Sequence, residues 1–259
     1  MPRTRKSTVE RRLESRVGSG RDRVRDDLDE VRDILHQMDD DFELLEDFLG
    51  PAGTTLPAPW ATEDSSPAGS PTIDYVVAKG GQFQLATDSQ SEAQALTLYW
   101  DDNEMLDPTA GLVFECGFIW SPAGAAGIAA TDFVVGVASA RNATLDDIAE
   151  HAWVRVDGAN MDLLIEGDDG STDTDDVDTG LDIVKDQLCR VRIDFSTLSA
   201  VQFYIDVGDG NGWRTISTTI DLSALTSSDL LQPFIELQRA SGTAVEDLRV
   251  DYVRAAMTR

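Results

Sequence analysis

Cysteine and histidine each occur only twice in this chain, and lysine only three times. Two cysteines, Cys116 and Cys189, cannot supply the dense disulfide framework that small secreted domains rely on. His36 and His151 have no serine or cysteine motif beside them, so no nucleophilic triad is indicated, and no Cys/His spacing suits zinc. No apolar run approaches the length of a membrane span. The basic N-terminus is followed by no apolar segment, which argues against a secretory signal. Positive charge is scarce beyond the start of the chain. Residues 1–25 hold nine Lys and Arg against three acidic residues, a charge of +6; with −27 overall, the remainder carries −33. A body that acidic repels nucleic acid and anionic membrane, so neither is expected as a partner.

What is present divides the chain into four parts. Residues 1–20 are polar and basic, with Arg3, Arg5, Lys6, Arg11, Arg12 and Arg16, and end in Gly18-Ser19-Gly20. They read as a docking arm for an acidic surface or as an unstructured tail. Residues 21–50 read as a helix. Val24, Leu28, Val31, Leu35, Met38, Phe42, Leu45 and Leu49 recur at alternating steps of four and three, the seam of a left-handed coiled coil. Leu and Phe at a, with β-branched residues at d, argue for three or four strands, so a homo-trimer is the expected oligomer. A single helix docked on its own domain is the competing reading, since Ile34, Leu44 and Phe48 widen the stripe. Gly50-Pro51 would end the helix either way.

Residues 51–71 are a Pro/Gly/Ser-rich connector, with Leu56 and Trp60 as its anchors. From residue 72 to 259 the period changes to two. Candidate strands are 73–78, 82–87, 94–100, 112–120, 133–139, 152–156, 161–166, 187–195, 201–207, 213–218, 234–239 and 246–253, with Gly, Asp, Asn and Pro turns between them. Such a series predicts a mainly β sandwich. Phe114, Cys116, Phe118 and Trp120 share one face of their strand; Cys189, Val191, Ile193 and Phe195 share one face of theirs. Both thiols are therefore expected inside, unbonded. Asp209-Gly210-Asn211-Gly212 is a hairpin turn. Trp100, Trp120 and Trp153 fall within strands and are expected in the core, whereas Trp60 and Trp213 are freer to stack on a sugar.

Two groups of carboxylates bear on chemistry. Glu166-Gly167-Asp168 is the nearest approach to the paired carboxylates of a sandwich glycosidase, but the pattern places it running into a loop, so no enzyme is expected. Asp168, Asp169, Asp173, Asp175, Asp176 and Asp178 put six carboxylates in eleven residues, the oxygen chemistry of calcium. They lack the order of an EF-hand, and the favoured reading is a solvated acidic loop with no cofactor.

Several pieces together resemble the lectin-like (concanavalin A/laminin G-like) jelly-roll modules of tailed-virus virion proteins. They are EDFLG at 46–50, GGQFQLAT at 80–87, LTLYWDDNEMLDPTAGLVFECGFIW at 96–120, FVVGVAS at 133–139, CRVRIDFSTLSAVQFYIDV at 189–207 and LRVDYVRA at 248–255. The resemblance implies a two-sheet antiparallel jelly-roll sandwich in a non-catalytic decoration or head-associated protein. It would be assembled in the host cytoplasm and held on the virion exterior against the major capsid or another virion protein. The alternative it leaves open is a module that binds host glycan or a receptor.

Overall fold

The computed structural model describes residues 41–76, 81–122 and 131–258. Glu43–Thr258 form one compact unit, in which alternating side chains sort themselves between a shared interior and two outer faces. The described residues form fifteen strands: β1 (Asp41–Glu46), β2 (Ala61–Asp64), β3 (Thr72–Val76), β4 (Gln82–Ala86), β5 (Gln94–Tyr99), β6 (Val113–Trp120), β7 (Thr131–Ala138), β8 (Glu150–Asp157), β9 (Asp162–Asp169), β10 (Asp173–Asp182), β11 (Leu188–Asp194), β12 (Gln202–Asp206), β13 (Arg214–Thr215), β14 (Gln232–Arg239) and β15 (Asp247–Thr258). One sheet runs β13-β12-β11-β6-β15-β4-β3, with β1 also pairing β15, and the other runs β10-β9-β8-β7-β14-β5-β2. Consecutive members of both paths pair antiparallel. This is the expected two-sheet sandwich.

Aromatic rings join the sheets across the interior. Phe133 of β7 meets Phe118 and Trp120 of β6 edge-on, with ring centroids 5.5 and 5.4 Å apart. Trp100, Trp120 and Trp153 are buried, as expected. Each such side chain stabilises the fold by roughly 1.5–3 kcal/mol through burial. Cys116 and Cys189 are free and buried. Val191, not Cys189, lies directly opposite Cys116, so the thiols are diagonal neighbours on one face, too far apart to bond.

All twelve expected strands are found, although the one expected at 213–218 is only the two-residue β13. Three further strands correct the sequence reading. Residues 41–46 are β1, not the end of a helix. Leu45 and Leu49, assigned to the seam, are 64% and 68% exposed, while Phe42 and Leu44 share the half-buried side of the strand. The physical reason is that Phe42-Glu43-Leu44-Leu45 fits period two as well as 3.5, and pairing with β15 decides between them. Val24, Leu28, Val31, Leu35, Met38 and the arm residues Arg3, Arg5, Lys6, Arg11, Arg12 and Arg16 lie outside the described residues. The connector contains β2, and Trp60 is buried against Phe48 and Trp100, with centroids 5.4 and 5.9 Å away, so it offers no platform to a sugar. The acidic stretch is not a loop but the end of β9, a turn and the edge strand β10.

Candidate functional site

The outer face of the seven-stranded sheet follows from the register. Phe133 points inward, so its neighbours Asp132 and Val134 point outward, and each pairing carries that sense to the next strand. One cross-strand row is of particular interest. Ser65 N donates to Ala95 O at 3.0 Å, Ala95 lies opposite Gln238, and Gln238 lies opposite Asp132. The row then continues through three more strands as Asp157, Asp162 and Asp182, each opposite the last. Four aspartates thus stand side by side across β7, β8, β9 and β10. Desolvation, and then neighbouring Asp182, Asp178 and Asp157, raise the pKa of Asp162 from its ordinary value.

At the Ser65 end the row floors a groove of about 270 Å³, lined among others by Pro67, Gln94, Asp132, Ala143, Gln238 and Arg239. The polar atoms there suit hydroxyl groups. Asp132 accepts only long hydrogen bonds, 3.3 Å from Arg155 and 3.4 Å from Gly158 N, so its carboxylate retains acceptor capacity. Gln238 donates to Glu236, which leaves its carbonyl oxygen uncommitted to that contact. Arg239 is different. Its guanidinium is buried and donates to Thr87 Oγ1 and to the carbonyls of Asp88, Gln90 and Ala244, fastening the loops at this end rather than facing the groove.

The middle of the same face is covered. Leu145 and Ile148, from the loop between β7 and β8, pack on Tyr99, Val134, Trp153 and Phe234. Arg141 holds that loop down: Nε donates to Thr97 Oγ1 at 3.1 Å, Nη1 to Glu63 at 3.0 Å, and Glu236 is 3.7 Å away. Glu236 is buried, which raises its pKa. Trp153 lies flat against His151 at 3.7 Å and donates Nε1 to Glu166 at 2.6 Å. His151 contacts the Ile148 carbonyl through Nδ1 at 3.1 Å, and burial lowers its pKa. Desolvation pushes the Glu166 carboxyl up to about 7, with Asp176 adding to the rise and Trp153 and Arg155 opposing it.

The carboxylates singled out in the sequence are dispersed. Asp169 points inward, 8% exposed, and accepts from the amides of Ser171, Thr172 and Ala224. Asp168 lies outward, opposite both His151 and Asp173. Asp175 and Asp176 sit in the irregularity between Thr174 and Val177; burial and then Asp173 raise the pKa of Asp175, and Asp176 reaches Arg155 at 3.7 Å. Asp178 caps the Gly180 amide at 2.7 Å. Among the described residues no group of three His, Cys, Asp or Glu side chains is placed to hold a metal ion. Because β9 extends to Asp169, Glu166 and Asp168 do share one strand face, contrary to the loop expected there. Yet Glu166 is only 3% exposed and its oxygens face Trp153 and Arg155. Trp213 lies on the other sheet, half-buried, with Arg190 and Arg192 each 5.0 Å from its ring. The groove is not legible in the sequence, since its residues come from five separate stretches of chain.

No family model matches the chain, and no curated protein matches it. Solved structures do. The lectin UEA-II in complex with galactose is 10% identical with a TM-score of 0.54, over 84% of this chain and 99% of the lectin. The exoplasmic/lumenal domain of VIP36, bound to calcium and mannose, is 11% identical with a TM-score of 0.51, over 82% and 88%. A glycosyl hydrolase family protein from Mycobacterium fortuitum is 13% identical with a TM-score of 0.52, over 82% and 98%. At such identities the likeness establishes the fold alone: an antiparallel two-sheet sandwich of the concanavalin A-like lectin type.

Proposed function

We propose that this chain is a carbohydrate-binding module that takes a glycan on the outer face of its seven-stranded sheet. The observation that carries this reading is the groove over Ser65, Ala95, Gln238 and Asp132, an open polar floor built from backbone-fixed strands. Similar folds in complexes with galactose and mannose support it. Binding proceeds without bond cleavage. Glu166 and Glu236, the buried carboxyls of this face, are on strands three apart, roughly 14 Å at ordinary strand spacing, beyond the separation a glycosidase pair uses. The test is a glycan array with the wild type and an Asp132→Asn/Gln238→Ala double variant. Specific binding lost in the variant supports the reading; an empty array, or binding the variant keeps, rejects it.

A second reading is favoured by the charge segregation, +6 in residues 1–25 against −33 elsewhere. In it the protein is a virion component, its basic arm docked on an acidic capsid or other virion subunit and its sandwich displayed outside, as an oligomer held by the seam from Val24 to Met38. Deleting residues 1–20 and measuring occupancy on particles lacking the protein tests it. Unchanged occupancy leaves the arm without this role.

A further inference from the structure

We infer that the glycan this face accepts is an amino sugar, presented as an oligomer lying along the aspartate row. This rests on the carbohydrate-binding reading above and names the chemistry it selects.

The argument begins with what the face offers. The groove opens beside Asp132, and from there Asp157, Asp162 and Asp182 continue in register to the edge of the sheet. Strand spacing puts one aspartate of the row about every 4.8 Å along the backbone, comparable to the length of one pyranose in an extended chain; Asp132 is paired with Arg155, and Asp157 also accepts from Ala159 N at 2.8 Å and Asn160 Nδ2 at 3.2 Å. Like charges placed directly opposite on neighbouring strands destabilise a sheet, and that strain is relieved when a cation lies over them.

Among the described residues Arg155 offsets the row at its Asp132 end, and no further arginine on this face is left for an anionic ligand. The two arginines that reach the face are already spent on carboxylates. Arg141 is committed to Glu63 and lies near Glu236; Arg155 is committed to Asp132 and Glu166, with Asp176 beside it. Arg239 lines the groove but turns its guanidinium to backbone carbonyls within the fold. A uronate, sialic acid or sulfate would therefore meet carboxylates with no free guanidinium among the described residues. A neutral sugar would use the hydrogen-bonding floor and leave the row unmatched. A protonated amine on the ring satisfies both, donating charge-assisted hydrogen bonds to the row while its hydroxyls engage Ser65 and Gln238.

The experiment is calorimetric titration of the full chain at pH 6 with three probes of equal length: glucosamine oligomers, their N-acetylated counterparts and oligoglucuronate. The amine form should bind at least roughly tenfold more tightly than the acetylated form, the effect of one lost charge-assisted contact. Added salt should weaken it, and oligoglucuronate should not bind. Asp157→Asn, at a half-exposed position outside the groove, should narrow the ratio between the first two without abolishing binding of the acetylated probe. Equal affinity for amine and acetyl forms, or binding of oligoglucuronate, overturns the inference while leaving the carbohydrate reading intact. Oligolysine bound as tightly as the glucosamine oligomer also overturns it, since the row would then recognise any polycation. If none of the sugars binds, the carbohydrate reading itself fails.

Discussion

Trp153 donates its indole hydrogen to Glu166 across the β8–β9 pair, at 2.6 Å, in a place where the carboxyl is almost fully buried. The bond favours the charged carboxylate, but desolvation outweighs it, and the group titrates near neutrality at about 7. The folded-state pKa is thus above the unfolded value, so the stabilising contribution belongs to the protonated form. It is fully present below about pH 4.5 and is lost as pH rises through 7.

Stability should therefore decline between pH 5 and 8 by something on the order of 2 kcal/mol from this group. Asp162 and Asp175, also raised, act in the same direction. Urea denaturation across that range should show the decline, and Glu166→Gln should flatten it. A pH profile that Glu166→Gln leaves unchanged would show that the carboxyl does not titrate there.

Arg141 is the clamp on the loop between β7 and β8. Arg141→Ala removes the partner of Glu63 and leaves the buried Glu236 without its nearest cation, a loss of about 3 kcal/mol. Amide exchange should quicken first at residues 141–148, ahead of the strands beneath. Uniform quickening across the sheet would mean that the loop and sandwich open together.

Gly136 tolerates no side chain. A Cβ there would stand 2.2 Å from the Ala152 carbonyl oxygen and 2.5 Å from the Trp153 Cα, and backbone atoms have nowhere to go. Gly136→Ala should cost about 3 kcal/mol, at the upper end of overpacking effects, read as a lowered melting temperature. Gly210→Ala is the informative comparison. It has open space around it, so its cost comes from the positive φ of 84° alone and should be the smaller.

The thiols should be silent. Burial raises the pKa of both Cys116 and Cys189, so neither presents a thiolate at neutral pH. A thiol reagent such as DTNB should label neither in the native protein and both in guanidinium. Rapid native labelling would show that the sheets part locally around β6 and β11.

Much of the sandwich was legible because its strands alternate strictly: Phe114, Cys116, Phe118 and Trp120 of β6 announce both an element and its inward face. The missing strands are those whose sequences carry no such contrast. β10 has a single aliphatic residue in its first eight, Val177, and its turn residues disguise the rest. β2 is four residues in a proline-rich setting. β1 satisfies two periods at once. The groove lay beyond reach for another reason. Asp132 and Gln238 meet only because β14 inserts between β7 and β5, and sequence periodicity says which way a residue faces but not which strand lies beside it.

β10 is one border of the seven-stranded sheet among the described residues, and the backbone of an edge strand invites another strand to add to it. Here Asp173, Asp175, Asp176, Asp178 and Asp182 occupy five of its ten positions. Any second copy approaching edge to edge must bring its own aspartates against them. The border consequently protects the protein from fibrous growth at neutral pH, and acidification, which neutralises that repulsion, is the condition under which strand-to-strand aggregation should begin.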